Sequence, residues 1–170
     1  FAVTGNGVGP SHIPPVATAA SFLALDKNSG KVLWRDNSPG QNVLHGQWGS
    51  PTVIDRGAET QIVFPGGDGW LYSFSPFAAD DGKSQLLWKF DCNQKESVWK
   101  LGGQGTRNNL LHGPTLFDNR LYITTGQDPE HGSGQGLVLC LEIDGAGDVS
   151  SHRVYNQDNP QREIPHRRVQ

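Results

Sequence analysis

The 170-residue sequence has no methionine, two cysteines and no apolar run approaching the length of a membrane-spanning helix. The two cysteines, Cys92 and Cys140, stand far apart and form no CxxC pair. They read as ordinary strand residues, with a disulfide or a metal site as the alternative. An excess of one charge is missing too, because 14 Lys+Arg stand against 17 Asp+Glu. That balance gives no electrostatic case for nucleic acid or an anionic membrane as partner. The basic run His166-Arg167-Arg168 is too short to change it. No long stretch carries the 3.6-residue apolar period of an amphipathic helix. The opening Phe1-Ala2-Val3-Thr4 lacks an initiator Met and reads as the inside of a strand. The expectation is an internal piece of a longer protein, for which a missing leader says nothing of location.

Glycine is what the chain has in quantity. Its 22 Gly, with 11 Pro and 5 Trp, point to many tight turns joining short strands, each strand carrying a large apolar anchor. The class that follows is all-β. Internal repetition sharpens it. Asp26-Lys27-Asn28-Ser29-Gly30-Lys31-Val32-Leu33-Trp34 reads as strand end, tight turn and a new strand closing on an indole. The string is echoed by Asp81-Gly82-Lys83-Ser84-Gln85-Leu86-Leu87-Trp88. In a second register, Ser50-Pro51-Thr52-Val53-Ile54-Asp55 recurs as Gly113-Pro114-Thr115-Leu116-Phe117-Asp118. Four short strands in about 50 to 60 residues is the pattern of a propeller blade.

The expected architecture is therefore a β-propeller of four-stranded antiparallel blades, about three of them, in an incomplete ring. Blades are expected at about 1–40, 41–95 and 110–155, with 156–170 a polar tail or truncated connection. The first blade uses Phe1 to Thr4, Ser21 to Leu25 and Lys31 to Trp34. The second uses Ser50 to Ile54, Gln61 to Phe64, Trp70 to Phe74 and Gln85 to Phe90. The third uses Pro114 to Phe117, Arg120 to Thr125, Gly136 to Ile143 and Arg153 to Tyr155. Asp118-Asn119 is a two-residue hairpin signal, and Gly66-Gly67-Asp68-Gly69 supplies positive-φ positions for another tight turn.

The string Ala24-Leu25-Asp26-Lys27-Asn28-Ser29-Gly30-Lys31-Val32-Leu33-Trp34 resembles the tryptophan-docking motif of pyrroloquinoline-quinone (PQQ) repeats. These repeats occur in quinoprotein dehydrogenases and in the outer-membrane assembly lipoprotein family. The resemblance covers about 155 residues by the same blade count, and Gly66 to Phe74 and Gly126 to Gly132 look most like planctomycete-type propeller proteins. It implies that Trp34 and Trp88 pack between blades, while Asp26 with Gly30, and Gly82 in the second copy, close the turns beside Ala24 and its counterpart. The second copy is looser, and the third, around Ile143 to Asp148, has no Trp. The resemblance also implies a bacterial periplasmic or cell-envelope location. Members that oxidise alcohols or sugars hold the quinone between a tryptophan floor and a disulfide of adjacent cysteines, beside a calcium ion. No adjacent cysteine pair exists here. No cofactor is evident, and PQQ with calcium would need residues from elsewhere in the intact protein.

Chain direction alternates in such a blade, so the long connections gather on one end and the short turns on the other. The long ones contain the unusual residues: Ser11-His12, His45-Gly46-Gln47-Trp48, Asp68, Gly102 to Asn109, and Asp128-Pro129-Glu130-His131. Loops gathered on one face of a rigid scaffold are where binding usually sits. The candidate ligand face comprises His45, Gln47, Trp48, Arg107, Asn108, Asn109, Asp128 and His131. Arg107 with its two asparagines suits either a carboxylate ligand or a tie to the neighbouring blade. The glycines of 102–109 match no phosphate-loop spacing. Asp128, Glu130 and His131 offer too few oxygens for calcium. His45 and His112 precede blade entries and suit either a ligand role or a bond to a loop carbonyl. Trp34, Trp70 and Trp88 read as packing anchors; Trp48 and Trp99 lie in loops.

The functional expectation is a non-catalytic binding or assembly scaffold with a protein or polymer partner on the loop-rich face and the remaining blades of the intact chain beside it. The alternative is part of a PQQ- and calcium-dependent dehydrogenase. A carbohydrate-binding or polymer-binding propeller is a third class. Three blades leave two open sides, so the piece alone is expected to aggregate or to be partly molten.

Overall fold

The computed structural model describes residues 1–6, 9–10, 13–127 and 135–150. Among these the regular structure is β, interrupted only by single 3₁₀ turns at Gly40–Asn42, Gly57–Glu59 and Leu101–Gly103. Three sheets form, each beginning as an antiparallel meander of consecutive strands. The first contains β1 (Ala2–Val3), β2 (Phe22–Leu25) and β3 (Val32–Asp36). The second contains β4 (Thr52–Ile54), β5 (Gln61–Pro65), β6 (Trp70–Phe74) and β7 (Leu86–Asp91). The third contains β8 (Thr115–Phe117), β9 (Arg120–Thr125) and β10 (Leu137–Glu142).

Local chemistry sets the turns. The Asp26 carboxylate accepts hydrogen bonds from the Asn28 and Ser29 amides and from the Ser29 hydroxyl, and Gly30 takes a φ of 72° that an L side chain rarely adopts. These bonds hold the Asp26 carboxyl below its ordinary pKa, with the Ser29 amide as the main cause. In the second copy Gly82 has a φ of 78°, and Asp81 replaces Asp26 as acceptor, from the Lys83 amide. Asp118 and Asn119 are both at positive φ, the mirror-image turn that suits the twist of a two-residue hairpin. Phe117 and Arg120 pair directly across it.

The second sheet is the centre of the molecule because both its faces are covered. Side chains alternate along a strand, and here the alternation sorts residues between two cores. Ile62, Phe64, Tyr72 and Phe74 pack with Phe22, Ala24 and Trp34 of the first sheet. Ile54, Val63, Leu71, Trp88 and Phe90 pack with Leu110, Leu121, Ile123, Leu139 and Leu141 of the third. A strand buried on both faces cannot show polar alternation, which is why β5 reads as the continuous run Gln61-Ile62-Val63-Phe64-Pro65.

The two tryptophans occupy equivalent places. Ala24 lies opposite Trp34, and Ser73 lies opposite Trp88, with a small side chain in each pair leaving room for the indole. Both pairs are followed by a register shift at the same step, between Ala24 and Leu25 and between Ser73 and Phe74. The Trp34 indole N–H donates to the Pro76 carbonyl of the central sheet's last turn at 3.2 Å. The Trp88 indole N–H donates to Gln61 Oε1 at 2.7 Å, which also accepts from the Ser73 hydroxyl, while Gln61 Nε2 donates to the Ile143 carbonyl. Each indole thus fills a core and is tied by one polar bond.

One expectation is corrected: the central sheet has five strands and not four, because a short strand, β11 (Gly147–Asp148), leaves the third repeat and pairs parallel with β7. The third repeat lacks a Trp, and β11 is anchored on β7 instead by the Val149 amide on the Lys89 carbonyl and the Asp91 amide on the Ser150 hydroxyl. The strand expected at Arg153 to Tyr155 lies outside the described residues. The first and third sheets show three strands among those described.

Candidate functional site

The connections that enter the central and third sheets lie at the same end as the short β5–β6 turn, while the longer β6–β7 connection lies at the other end. The connection into the central sheet reaches the β5–β6 turn through the Leu44 amide on the Gly67 carbonyl. The connection into the third sheet makes the equivalent contact, Asn109 and Gly126 exchanging both backbone hydrogen bonds at 2.8 and 3.1 Å. Gln47 spans the first sheet and the central turn, its Nε2 donating to the Thr4 carbonyl and its Oε1 accepting from the Gly67 amide.

Arg107 is the hub of this end. Its Nη2 lies 2.6 Å from Asp91 Oδ1 and its Nη1 3.3 Å from Asp91 Oδ2, a two-pronged ion pair in which both side chains are nearly buried. Nε donates to the Asp68 carbonyl at 2.6 Å, and Nη1 also reaches the Ser97 hydroxyl. The guanidinium stands 5.8 Å from the centre of the Trp70 ring, which Lys89 approaches to 4.6 Å. Asn108 is similarly engaged: its amide donates to Asn93 Oδ1, and its Nδ2 donates to the Gln135 carbonyl and the Thr125 hydroxyl. Asn93 in turn donates to the Asn108 carbonyl. The side-chain oxygens of Asn108 and Asn109 are buried and accept no hydrogen bond from the described residues.

Beside this network lies Asp68, 3 % exposed, in the turn between β5 and β6. Its Oδ2 accepts from the Tyr72 hydroxyl at 2.6 Å and its Oδ1 from the Trp70 amide at 3.3 Å. Burial outweighs these bonds and pushes its pKa up to about 6. The same burial, with the neighbouring carboxylate, pushes the Tyr72 hydroxyl far up, so it stays a donor. Gly69 follows at a φ of 82°, and a Cβ there would stand 2.5 Å from Asn93 Nδ2 and 2.7 Å from the Asn108 carbonyl. Only glycine lets the turn sit this close to the third sheet's entry loop.

The other sequence-expected residues are arranged differently. His45 and Trp48 meet each other, ring centres 5.6 Å apart, with Trp48 exposed at the rim. His112 is exposed and bonded to the Gly113 carbonyl and the Thr124 hydroxyl. Trp99 donates to the Asn42 carbonyl. In the 102–109 loop the Thr106 and Arg107 amides both close on the Val98 carbonyl, and a Cβ at Gly105 would collide with that same oxygen. Ser11, His12, Asp128, Glu130 and His131 lie outside the described residues. The structure brings Gln47, Arg107 and Asn108 together around the 66–69 turn, while Asn109 pairs with Gly126. Sequence reasoning did not include Asp91, Asn93 or Tyr72. The spacing Asp91-Cys92-Asn93 directly after a core strand was the available signal.

A cleft of about 450 Å³ opens at the opposite end, between the central sheet and the Ile143–Gly145 connection. Arg56, Thr60, Gln61, Gln85 and Asp144 line it over the edge of Trp88. Arg56 crosses its mouth to Asp144 at 2.7 Å. This cleft lies at the end away from the candidate ligand face.

Cys92 is buried after β7, Cys140 is half-buried in β10, and neither is in a disulfide. They lie in different repeats, so the residues present do not form the adjacent cysteine pair that the resemblance to quinoprotein dehydrogenases implies for PQQ binding. Among the described residues no three His, Cys, Asp or Glu side chains stand together as a metal-binding group, and no helix is long and apolar enough to cross a membrane. No family model matches the chain, and no curated protein sequence matches it.

Proposed function

We propose that the chain is a run of propeller blades of the PQQ-like repeat type, serving as a binding or assembly scaffold in the bacterial cell envelope. Consecutive antiparallel meanders stacked face to face, with Trp34 and Trp88 docked at equivalent positions, support the propeller reading. One observation carries the scaffold reading: the charged donors of Arg107 are spent on Asp91, the Asp68 carbonyl and Ser97. A guanidinium so committed fixes loops in place instead of meeting a substrate. The loop-rich end then offers a rigid surface, with the exposed Trp48 at its rim, to a protein or polymer partner.

Calorimetric titration with PQQ, with and without calcium, separates this reading from a quinoprotein dehydrogenase. No saturable heat is expected in either condition. Calcium-dependent binding near one per chain would overturn the scaffold reading and make dye-linked alcohol or sugar oxidation the next assay.

A further inference from the structure

The second and third repeats are docked through one more side chain than the first and second. Trp34 donates its indole N–H straight to the Pro76 carbonyl, just past β6. Past β10 the corresponding anchor is the Ile143 carbonyl, but the Trp88 indole meets Gln61 Oε1 instead. Gln61 Nε2 then carries the link on to Ile143 at 3.3 Å. An amide thus stands between the indole and the Ile143–Gly145 connection, and the cleft of about 450 Å³ opens beside it. That size falls in the range of small-molecule sites, about 300–1,000 Å³. Its walls belong to repeats already docked on each other, and no residue of β8, β9 or β10 lines it. Ser150 lies at the Asp91 end of β7, whereas the cleft lies at the Leu86 end. The cleft is a feature of an internal seam.

Its lining mixes donors and acceptors over an apolar floor of Leu87, Ile143 and the Trp88 edge. Gln61, 7 % exposed, spends one Nε2 hydrogen on Ile143 and keeps a second with no acceptor among the described residues. At the rim the Glu59 carboxylate and the Gln85 amide have no hydrogen-bond partner among the described residues. Arg56 and Asp144 cross the mouth as an ion pair. One guanidinium against two carboxylates leaves the wall net negative, which repels an anion. A metal ion is poorly served, because no three His, Cys, Asp or Glu side chains stand together among the described residues. An organic cation would compete with Arg56 for Asp144 and would find no open aromatic face, since Trp88 is 1 % exposed. A neutral polyol meets all these conditions. Each of its hydroxyls donates and accepts, and its C–H face covers the apolar floor.

We propose that the seam between the second and third repeats is a binding site for a neutral sugar of one or two rings. The site depends on the docking of those two repeats, and the loop-rich face plays no part in it.

Nitrogen–proton correlation NMR of the full chain, titrated with glucose, mannose, galactose and maltose, tests this. At least one of these sugars should saturably shift the Trp88 indole and Gln61 side-chain amide signals, while the Trp34 indole signal stays in place. Glu59→Ala and Gln85→Ala replace exposed side chains, and an unchanged Trp88 signal before sugar is added shows that the fold is kept. Each should weaken the binding about tenfold, the loss of one hydrogen bond to the ligand. No saturable shift with any of these sugars, or binding that neither substitution weakens, would overturn the proposal. Acetate and methylammonium should leave the same signals unmoved; a saturable shift with either would overturn the choice of a neutral ligand.

Discussion

Replacing Asp68 with asparagine should stabilise the protein at neutral pH and remove its pH dependence between about 4 and 6. The Asp68 carboxyl is buried, and desolvation lifts its pKa from 3.8 to about 6 despite the bonds from Tyr72 and Trp70 and the nearby Arg107 charge. In the unfolded chain it ionises near 3.8, so between the two values the folded state holds the extra proton. Folding stability therefore falls as pH rises through that window and is fully reduced above the folded pKa. A shift of this size corresponds to about 3 kcal/mol. The asparagine cannot ionise, yet its oxygen still accepts from Tyr72. Urea unfolding at closely spaced pH values from 4 to 7.5 should show the wild type losing stability as pH rises. The variant should run flat across the same window and lie above the wild type at pH 7. Parallel curves for the two proteins would refute the argument, as would a variant less stable than the wild type at pH 7.

Other substitutions probe separate links. Trp34→Ala should cost about 3–5 kcal/mol in denaturant unfolding, through lost packing against Phe64 and Phe74, whereas Trp34→Phe should lose less because it keeps most of the ring. Arg107→Leu leaves the Asp91 carboxylate nearly buried without its partner and should cost about 3–5 kcal/mol. Adding Asp91→Leu should recover part of that loss, and a double-mutant cycle reads the coupling. Gly30→Ala meets open space and should cost about 1–2 kcal/mol for its positive φ alone. Gly69→Ala should cost clearly more, since its Cβ also collides with Asn93 and the Asn108 backbone; equal thermal shifts for the two would contradict the close approach.

How much was legible in the sequence follows from the range of each interaction. Strands β6 and β9 fall at the expected residues, Trp70 to Phe74 and Arg120 to Thr125, because apolar runs bounded by Gly and Asp-Asn are local signals. The Asp118-Asn119 hairpin and the Asp26 turn were readable for the same reason. Arg107 stood out, but its partner Asp91 sits 16 positions earlier at the end of another strand, and no local pattern joins them. Asp68 was noticed as a loop residue; its burial and its bond from Tyr72 exist only once the entry loops close over the turn. The addition of β11 to the central sheet was invisible because the two residues Gly147 and Asp148 carry no apolar pattern.

The indole N–H exchange of the five tryptophans tests the account most directly, because sheet stacking is what every later step relies on. Trp34 and Trp88 are buried and bonded, and their indole protons should exchange only on global unfolding. Those of the half-exposed Trp48 and Trp99 should exchange orders of magnitude faster. If the Trp34 and Trp88 signals vanish from deuterated solvent as quickly as that of Trp48, the sheets are not docked through their tryptophans and the propeller-type stack is wrong.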